Sequence, residues 1–163
     1  MSRPYRLDSQ SYVGFRRYYL TICTHGRCRS FADTETVAQT LLQFLRVAAE
    51  ESIEIVAYCF MPDHVHFIVV ATSPSADLQR FVRLAKQRSG FAFARKTGHR
   101  LWQDSYFERV VRGDQGLPGL IEYVVHNPVR AGIARTAAEY PHWGSQVHSR
   151  DEILEFLSGE RRV

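Results

Sequence analysis

The chain has 163 residues, enough for one domain with a hydrophobic core, and its 45% hydrophobic and 23% charged residues are typical of a soluble globular protein. Three scattered cysteines argue against a disulfide framework, and no apolar run or N-terminal leader predicts a membrane segment or secretion, so we expect a cytoplasmic protein. The net charge is +4, and 19 of the 21 basic residues are arginine, which favours a phosphate-bearing partner.

The first half of the chain predicts a strand, a helix and a hairpin. Arg17–Thr24 is rich in β-branched and aromatic residues, which favour a strand. Apolar residues then recur with the helical period of 3.6, after Asp33 or Thr34, either of which can cap a helix. Ile53–Met61 predicts a second strand, and the turn residues that follow it return the chain as a third strand beside the second.

The third strand carries the most informative pair of residues, His64 and His66. Residues two apart on a strand point to the same face, so both imidazoles project together while Val65 and Phe67 point into an apolar layer. Two neutral imidazoles on a rigid strand provide half of a divalent-metal site. Alone, such a pair is more often two partly buried histidines with ordinary hydrogen-bond partners.

The second half of the chain predicts a basic helix, a fourth strand and two further helices. Ser75 or Asp77 can cap the basic helix, and Tyr106–Arg112 predicts the strand. Pro118 then lies in the first turn of a short third helix. After an irregular stretch that includes residues 140–144, a last helix is predicted from about Asp151 to Leu157.

This order of elements indicates the fold. The sequence strand-helix-strand-strand-helix-strand is that of a ferredoxin-like domain, in which two helices cover one face of an antiparallel sheet. We therefore expect an α+β, ferredoxin-like β-α-β-β-α-β fold with additional C-terminal helices. The first and third strands are central in this topology, so the histidine strand has a neighbour on each side. We expect residues 1–163 to form one domain, with a C-terminal extension from about residue 133.

The third helix adds two polar side chains to the same region. Tyr123 and Asn127 are four residues apart and therefore lie on one side of a helix. Because Pro128 disfavours the α conformation of the residue before it, we expect Asn127 to end this helix. A helix that crosses the open face of the sheet would hold Tyr123 and Asn127 over the histidine pair. Taken singly, Tyr123 is more often a half-buried helix aromatic, and Asn127 a helix cap.

The second helix and the loop after it form a basic segment. Between Leu78 and Gln103 the sequence contains no Asp or Glu, and aromatic side chains are interleaved with the basic ones. Basic groups with stacking surfaces are what single-stranded nucleic acid binding requires, although an isolated charge run is more often a solvated helix face. We predict that seven residues of this segment contact nucleic acid: Arg80, Arg83, Lys86, Arg88, Arg95, Lys96 and Arg100.

In combination, these motifs resemble the REP-associated tyrosine transposases, a branch of the single-tyrosine HUH transposase superfamily. The resemblance spans nearly the whole chain, and the chain departs from the family pattern at Asp63, where asparagine is frequent. Four segments carry the resemblance: Tyr19-Leu-Thr-Ile-Cys-Thr-His-Gly-Arg27 with Phe31, Met61-Pro-Asp-His-Val-His66, Leu101-Trp-Gln103 with Tyr106-Phe107, and Tyr123-Val-Val-His-Asn-Pro-Val-Arg-Ala-Gly132.

The resemblance implies a transposase that cleaves and rejoins single-stranded DNA at palindromic, REP-like hairpins. Tyr123 would be the nucleophile and form a covalent 5′-phosphotyrosine intermediate, and His64, His66 and Asn127 would bind a divalent metal, Mg²⁺ or Mn²⁺. The metal would neutralise a phosphate oxygen and orient the phosphodiester, which is otherwise a poor electrophile. The implied location is the bacterial cytoplasm, in association with the nucleoid.

Two other functions stay open on the residues alone. A ferredoxin-like nucleic-acid-binding module without catalysis would explain the arginines and aromatics, but not the coincidence of His-x-His with Tyr-x-x-x-Asn. A metal-dependent hydrolase would use a metal-bound water, would leave Tyr123 idle, and lacks a suitable Asp or Glu as base. Among the eight tyrosines, Tyr106 is the main rival of Tyr123 as nucleophile.

The C-terminal extension bears on assembly. Shorter relatives in the superfamily are dimers in which the tyrosine helix of one subunit serves the histidines of the other. The residues after Gly132 include Tyr140 and Trp143, which we expect to cover a sheet edge and to block dimerisation. We therefore expect a monomer that acts in cis, with a dimer as the alternative.

Overall fold

One antiparallel sheet and five α-helices make up the part of the chain, residues 16–112 and 116–160, that the computed structural model describes. Residues 113–115, in the loop before the third helix, lie outside the described ranges. The strands are β1 (Arg17–Cys23), β2 (Ile53–Met61), β3 (His64–Ala71), β4 (Phe107–Val111) and β5 (Trp143–Gly144). The helices are α1 (Thr34–Glu50), α2 (Leu78–Thr97), α3 (Gly116–Val125), α4 (Asn127–Arg130) and α5 (Arg150–Glu160).

The strands pair in the order β4-β1-β3-β2-β5, and every pairing is antiparallel. The predicted β-α-β-β-α-β order and α+β class are confirmed, and β1 and β3 are central, as expected. The strand that carries the histidines is therefore fixed on both sides by ladder hydrogen bonds. None of the helices in the described ranges is long and apolar enough to cross a membrane.

The two faces of the sheet bury separate apolar layers. On β3, Val65 and Phe67 pack with residues of α1 and α2, whereas Ile68 belongs to a second cluster with residues of α3 and α5. This division follows from the period of two along the strand. His64 and His66 have the same parity as Ile68, so they lie on the face that α3 covers.

Both long helices begin at the predicted caps. The Asp33 carboxylate accepts a hydrogen bond from the Thr36 backbone N–H at 2.9 Å, and the Asp77 carboxylate accepts one from Arg80 N–H at 3.1 Å. Each bond satisfies one backbone donor that the first helical turn leaves free. At the other end of α2, Gly98 adopts a left-handed conformation with φ of 74°, which ends the helix.

The C-terminal segment adds a strand to the sheet edge, which corrects the predicted irregular stretch. Trp143 and Gly144 pair with Cys59 and Tyr58 of β2. A side chain at position 144 would place its Cβ 2.6 Å from the Tyr58 hydroxyl oxygen, so glycine at this position leaves room for the Tyr58 side chain. The Tyr140 hydroxyl also donates to a β2 carbonyl at 2.5 Å. The extension therefore covers the β2 edge, as expected.

The expectation that Asn127 ends the third helix is wrong. The helix α3 ends at Val125, and Asn127 is the first residue of α4, where its carbonyl accepts from Ala131 N–H at 2.9 Å. The physical reason lies in Pro128, which has no N–H to donate to the Val124 carbonyl and so stops α3. The same residue is tolerated in the first turn of a new helix, where backbone donors have no intrahelical acceptor.

Candidate active site

The two histidines meet on the face of the sheet that α3 covers. His64 and His66 stand at the start of β3, and their Nε2 atoms are 3.1 Å apart. The predicted common orientation of the two imidazoles is therefore observed. Each ring is also held from behind through its Nδ1 atom, so the two Nε2 atoms are left facing each other.

A carboxylate fixes the orientation of His64. Its Nδ1 lies 2.7 Å from Asp63 Oδ1, and the other carboxylate oxygen of Asp63 accepts from Arg27 Nε at 2.9 Å. Burial acts to raise the pKa of Asp63, but the hydrogen bonds from His64 and Arg27 outweigh it, and the pKa is lowered. Because an ionised carboxylate only accepts, His64 Nδ1 donates this hydrogen bond, and the ring is oriented with Nε2 toward His66.

Two hydroxyl groups hold His66. Its Nδ1 lies 2.8 Å from the Tyr19 hydroxyl oxygen and 2.9 Å from Thr21 Oγ1, and the residue is only 6% exposed. Burial, together with the nearby cationic groups, lowers its pKa to about 3, so the imidazole is neutral at physiological pH. Since a hydroxyl can donate or accept, Tyr19 and Thr21 support either neutral tautomer of His66.

This choice of tautomer decides whether the pair is able to bind a cation. With the proton on Nε2, His66 donates to His64 Nε2, and the pair forms a hydrogen bond. With the proton on Nδ1, both Nε2 lone pairs converge on one point, which suits an imidazole-binding divalent metal. Within residues 16–112 and 116–160 no group of three or more His, Cys, Asp or Glu is placed to bind a metal. A third protein ligand would therefore have to be another group, such as an amide oxygen.

Tyr123 of α3 stands beside this pair. Its side chain is 47% exposed, and its ring centroid is 6.4 Å from that of His66 and 6.4 Å from that of Tyr19, with both contacts edge-on. The Arg130 guanidinium lies 4.0 Å over the Tyr123 ring and also donates to the Tyr123 backbone carbonyl. Arg130 therefore holds the Tyr123 ring through a cation–π contact and a backbone hydrogen bond.

Asn127 lies one turn beyond Tyr123, half-buried at the start of α4. Among the described residues its carboxamide forms no hydrogen bond, either with the histidines or with any other group. The structure therefore brings together three of the four predicted site residues, Tyr123, His64 and His66. It places the fourth on the adjoining short helix, with an uncommitted side chain.

The rival nucleophile, Tyr106, lies on the opposite face. It is 8% exposed and belongs to the apolar cluster formed with α1 and α2. Its neighbour Phe107, not Tyr106, shares the face of the histidines, because Phe107 is opposite Thr21 in the β1–β4 register. Tyr106 is therefore a core residue on the face of the sheet away from the histidines.

Sequence reasoning missed the groups that support the histidines. Tyr19 and Thr21 are two apart on β1, a spacing that places them on one face, but nothing in the sequence gave the register that sets Thr21 opposite His66. Arg27 was within a motif segment, yet its reach to Asp63 depends on a turn in which Arg27 itself has φ of 56°. Local patterns do not encode either of these tertiary placements.

Several basic side chains of the segment are paired with acidic groups from other parts of the chain or from the loop after α2. Predicted DNA-binding residues on α2 and the loop after it form ion pairs with acidic groups, which corrects the expectation that no acidic partner offsets the run. Lys86 instead donates to backbone carbonyls of Gln103 and Asp104. The ion pairs are Arg80–Glu51, Arg88–Glu50, Lys96–Glu35 and Arg100–Asp104.

Arg83 differs from these neighbours. It is exposed and has no acidic partner among the described residues. Arg80, Arg83 and Lys86 still line one side of a cleft of about 930 Å³ between α2 and the loop after it. The three residues therefore share one face of α2, with its charge partly neutralised.

Comparison with known proteins identifies the family. Residues 15–127 match the family model described as IS200-like transposase. The chain belongs to the IS200-like transposase family. A protein of Escherichia coli K12 named REP-associated tyrosine transposase is 24% identical in an alignment of 168 positions, gaps included, that covers 91% of this chain and 98% of that protein. A Haemophilus influenzae protein, provisionally given the same name, is 24% identical in an alignment of 140 positions, gaps included, that covers 77% of each chain.

A solved structure shows the same fold as this IS200-like transposase. A REP-associated tyrosine transposase bound to a REP hairpin superposes with a TM-score of 0.73 at 21% identity, covering 88% of this chain and 82% of that chain. The predicted family resemblance and fold class are confirmed. Membership of the family supports a transposase role for the chain.

The buried, neutral state of His66 predicts an acid-sensitive fold. The pKa is about 3 in the folded chain and near 6.5 when the residue is unfolded, so the unfolded chain binds the extra proton between these values. Stability therefore falls as the pH falls, by about 2 kcal/mol between about pH 6.5 and about pH 5 from this residue. Urea unfolding in EDTA at both pH values measures the loss.

His66→Gln should remove that part of the pH dependence, because glutamine does not titrate. His99→Gln is the matched control, since His99 is exposed on the loop after α2. An unchanged pH dependence in the His66→Gln protein would contradict the assignment of a neutral buried imidazole.

Proposed function

We propose that this IS200-like transposase cleaves and rejoins single-stranded DNA at REP-like hairpins through a covalent bond to Tyr123. The observation that carries the proposal is the placement of the Tyr123 ring, 6.4 Å from the His66 ring of the same chain and open to solvent. The solved structural neighbour is bound to a REP hairpin, which supports hairpin DNA as the partner.

In the proposed reaction, the Tyr123 phenol oxygen attacks the scissile phosphorus. A new oxygen–phosphorus bond forms to tyrosine, the bond from phosphorus to the 3′ oxygen breaks, and that oxygen takes up a proton as the free 3′ hydroxyl. The strand is left as a 5′-phosphotyrosine adduct, which conserves the bond for rejoining. The phenol proton passes to solvent, to which the Tyr123 side chain is 47% exposed, and Arg130 packs over the ring at 4.0 Å.

His64, His66 and Asn127 are the proposed ligands of a divalent metal, Mg²⁺ or Mn²⁺. The fit is supported by the two convergent Nε2 atoms and by an adjoining carboxamide without a hydrogen bond among the described residues. When bound, the metal would supply Lewis-acid stabilisation to the phosphate oxygens. Asp63, Tyr19 and Thr21 orient the imidazole rings so that both Nε2 atoms face that position, as outer partners of metal-binding histidines do.

Replacement of the nucleophile tests the reaction. Tyr123→Phe removes one oxygen from a half-exposed ring, so folding and DNA binding should persist while cleavage of hairpin DNA is lost by at least about 10³-fold. Denaturing gels measure the covalent adduct, and mass spectrometry of the adduct should place the nucleotide on the peptide that contains Tyr123.

Tyr106→Phe is the matched control and should still cleave. A nucleotide found on Tyr106 would overturn the site assignment. Cut DNA without any protein adduct would favour the hydrolase instead, and intact DNA would favour a binding module.

Metal binding should be measurable without DNA. A ligand that binds only the folded state at a hundredfold excess over its Kd stabilises it by about 2.7 kcal/mol. We therefore expect Mn²⁺ to raise the Tm of the wild-type protein, His64→Ala to abolish the rise, and Asn127→Ala to reduce it. His99→Ala should respond like wild type, whereas an undiminished rise in His64→Ala would show that Mn²⁺ binds elsewhere.

DNA binding by α2 should depend on Arg83, an exposed arginine without an acidic partner among the described residues. Removal of Arg83 should weaken binding of single-stranded DNA across sequences and reduce the slope of log K against log salt by about 0.7, the value for one phosphate contact. Arg88→Ala is the control, because Arg88 forms two hydrogen bonds of 2.8 Å with the Glu50 carboxylate. If both variants lost the same affinity for DNA in a salt titration, the ion pair with Glu50 would not keep Arg88 from contacting DNA.

The site is proposed to act in cis within a monomer. The chain places its own Tyr123 beside its own His66, and the C-terminal extension covers the β2 edge. Mixing Tyr123→Phe with His64→Ala protein should therefore leave cleavage absent in a gel assay. Restored cleavage in the mixture would show that each subunit lends its tyrosine to another.

A further inference from the structure

A second cleft lies beside Tyr123, between α3 and the edge strand β4. Its volume is about 420 Å³, within the roughly 300–1,000 Å³ of sites that bind small organic groups. Phe107 and Arg109 of β4 form one wall, and Leu120 and Tyr123 of α3 form the other. None of the groups proposed to bind the metal lines this cleft.

The register of the sheet fixes how far the cleft lies from the histidines. Phe107 is opposite Thr21 on β1, and Thr21 is opposite His66 on β3, so the three residues form one row across the sheet. Two strand spacings of about 4.8 Å separate Phe107 from His66, about 10 Å in all. The sugar and base of a nucleotide whose phosphate lies at the histidines can span that distance.

The walls of the cleft combine aromatic surface with positive charge. Phe107 is 46% exposed and Tyr123 is 47% exposed, and both rings meet the Tyr19 ring edge-on with centroids 6.4 Å apart. Arg109 is exposed, lies 5.8 Å from the Tyr19 ring centroid and has no acidic partner among the described residues. Aromatic faces stack with bases, and a free guanidinium binds phosphate, so the cleft is complementary to a nucleotide.

A glycine keeps the α3 side of the cleft open. Gly119 is within the helix, where glycine costs about 1 kcal/mol relative to alanine. A Cβ at this position would meet nothing within 4 Å, so close packing does not require the glycine. Its effect is to leave room in the cleft, which a larger side chain at this position would fill.

We propose that this cleft binds the base of a nucleotide next to the scissile phosphate, stacked on Phe107, with Arg109 at the phosphate of that nucleotide. The proposal rests on the proposed function, because the histidines set the position of the scissile phosphate. It assigns to β4 a part in substrate recognition. The DNA must present an unpaired base at the cleavage point, and this requirement selects single-stranded over duplex DNA.

Photocrosslinking tests the cleft directly. The probe is a single-stranded oligothymidylate that carries iodouracil, irradiated with the wild-type protein in EDTA so that no cleavage is needed. Mass spectrometry should place an adduct on the peptide that contains Phe107. Phe107→Ala removes the stacking surface and Gly119→Leu fills the cleft, so each should abolish that adduct and weaken affinity by about fivefold or more.

Phe156→Ala is the matched control, because Phe156 is also 46% exposed but lies on α5. It should bind and crosslink like wild type, and circular dichroism checks that all variants fold. The proposal is overturned if adducts are confined to α2, or if Phe107→Ala and Gly119→Leu bind the probe as tightly as wild type.

The outcomes separate the cleft from the reaction. If the Phe107 adduct forms but hairpin DNA is never joined to Tyr123, the proposed function fails and the base site stands. If Tyr123 is joined to DNA while both cleft variants bind normally, the reaction stands and the base site fails. Tyr123→Phe should still give the Phe107 adduct, because the cleft uses the ring and not its oxygen.

Discussion

The site depends on the register between the two central strands. With Thr21 opposite His66, the two hydroxyl groups of β1 reach His66 Nδ1, and the Nε2 atom turns toward His64. A shift of one residue would send every side chain of one strand to the other face. The buried cluster beneath β3, which includes Phe67, opposes such a shift because it would expose apolar surface. Core packing on one face of the sheet thus fixes the strand register, and this register fixes the positions of the histidines and hydroxyl groups on the other face.

Much of this arrangement was readable from the sequence, because its signals are local. The alternation along β3 predicts that His64 and His66 share a face, and the spacing of four predicts that Tyr123 and Asn127 lie one turn apart. The order of elements predicts the sheet and its central strands. Each of these inferences uses only neighbours in sequence or the topology of a common fold.

The rest depends on partners that are distant in sequence. Arg80 and Arg88 look unpaired along the chain, yet α1 brings Glu51 and Glu50 to them. The β5 strand is two residues long and has no alternation to detect, and its place is set by the edge of β2. Pro128 predicts that the helix breaks near His126, but nothing local predicts that a new helix begins immediately afterwards. Propensity identifies where a helix stops more reliably than what the chain does next.

The hydrogen bond from Arg130 to the Tyr123 carbonyl has a mechanical consequence. It joins α4 to α3 across the break at His126. On the proposed assignment, these two helices carry the nucleophile and one metal ligand, while the sheet carries the two histidines. Any displacement of the joined helices relative to the sheet would therefore move Tyr123 and Asn127 together, so the nucleophile and this proposed ligand would approach or leave the histidines as one unit.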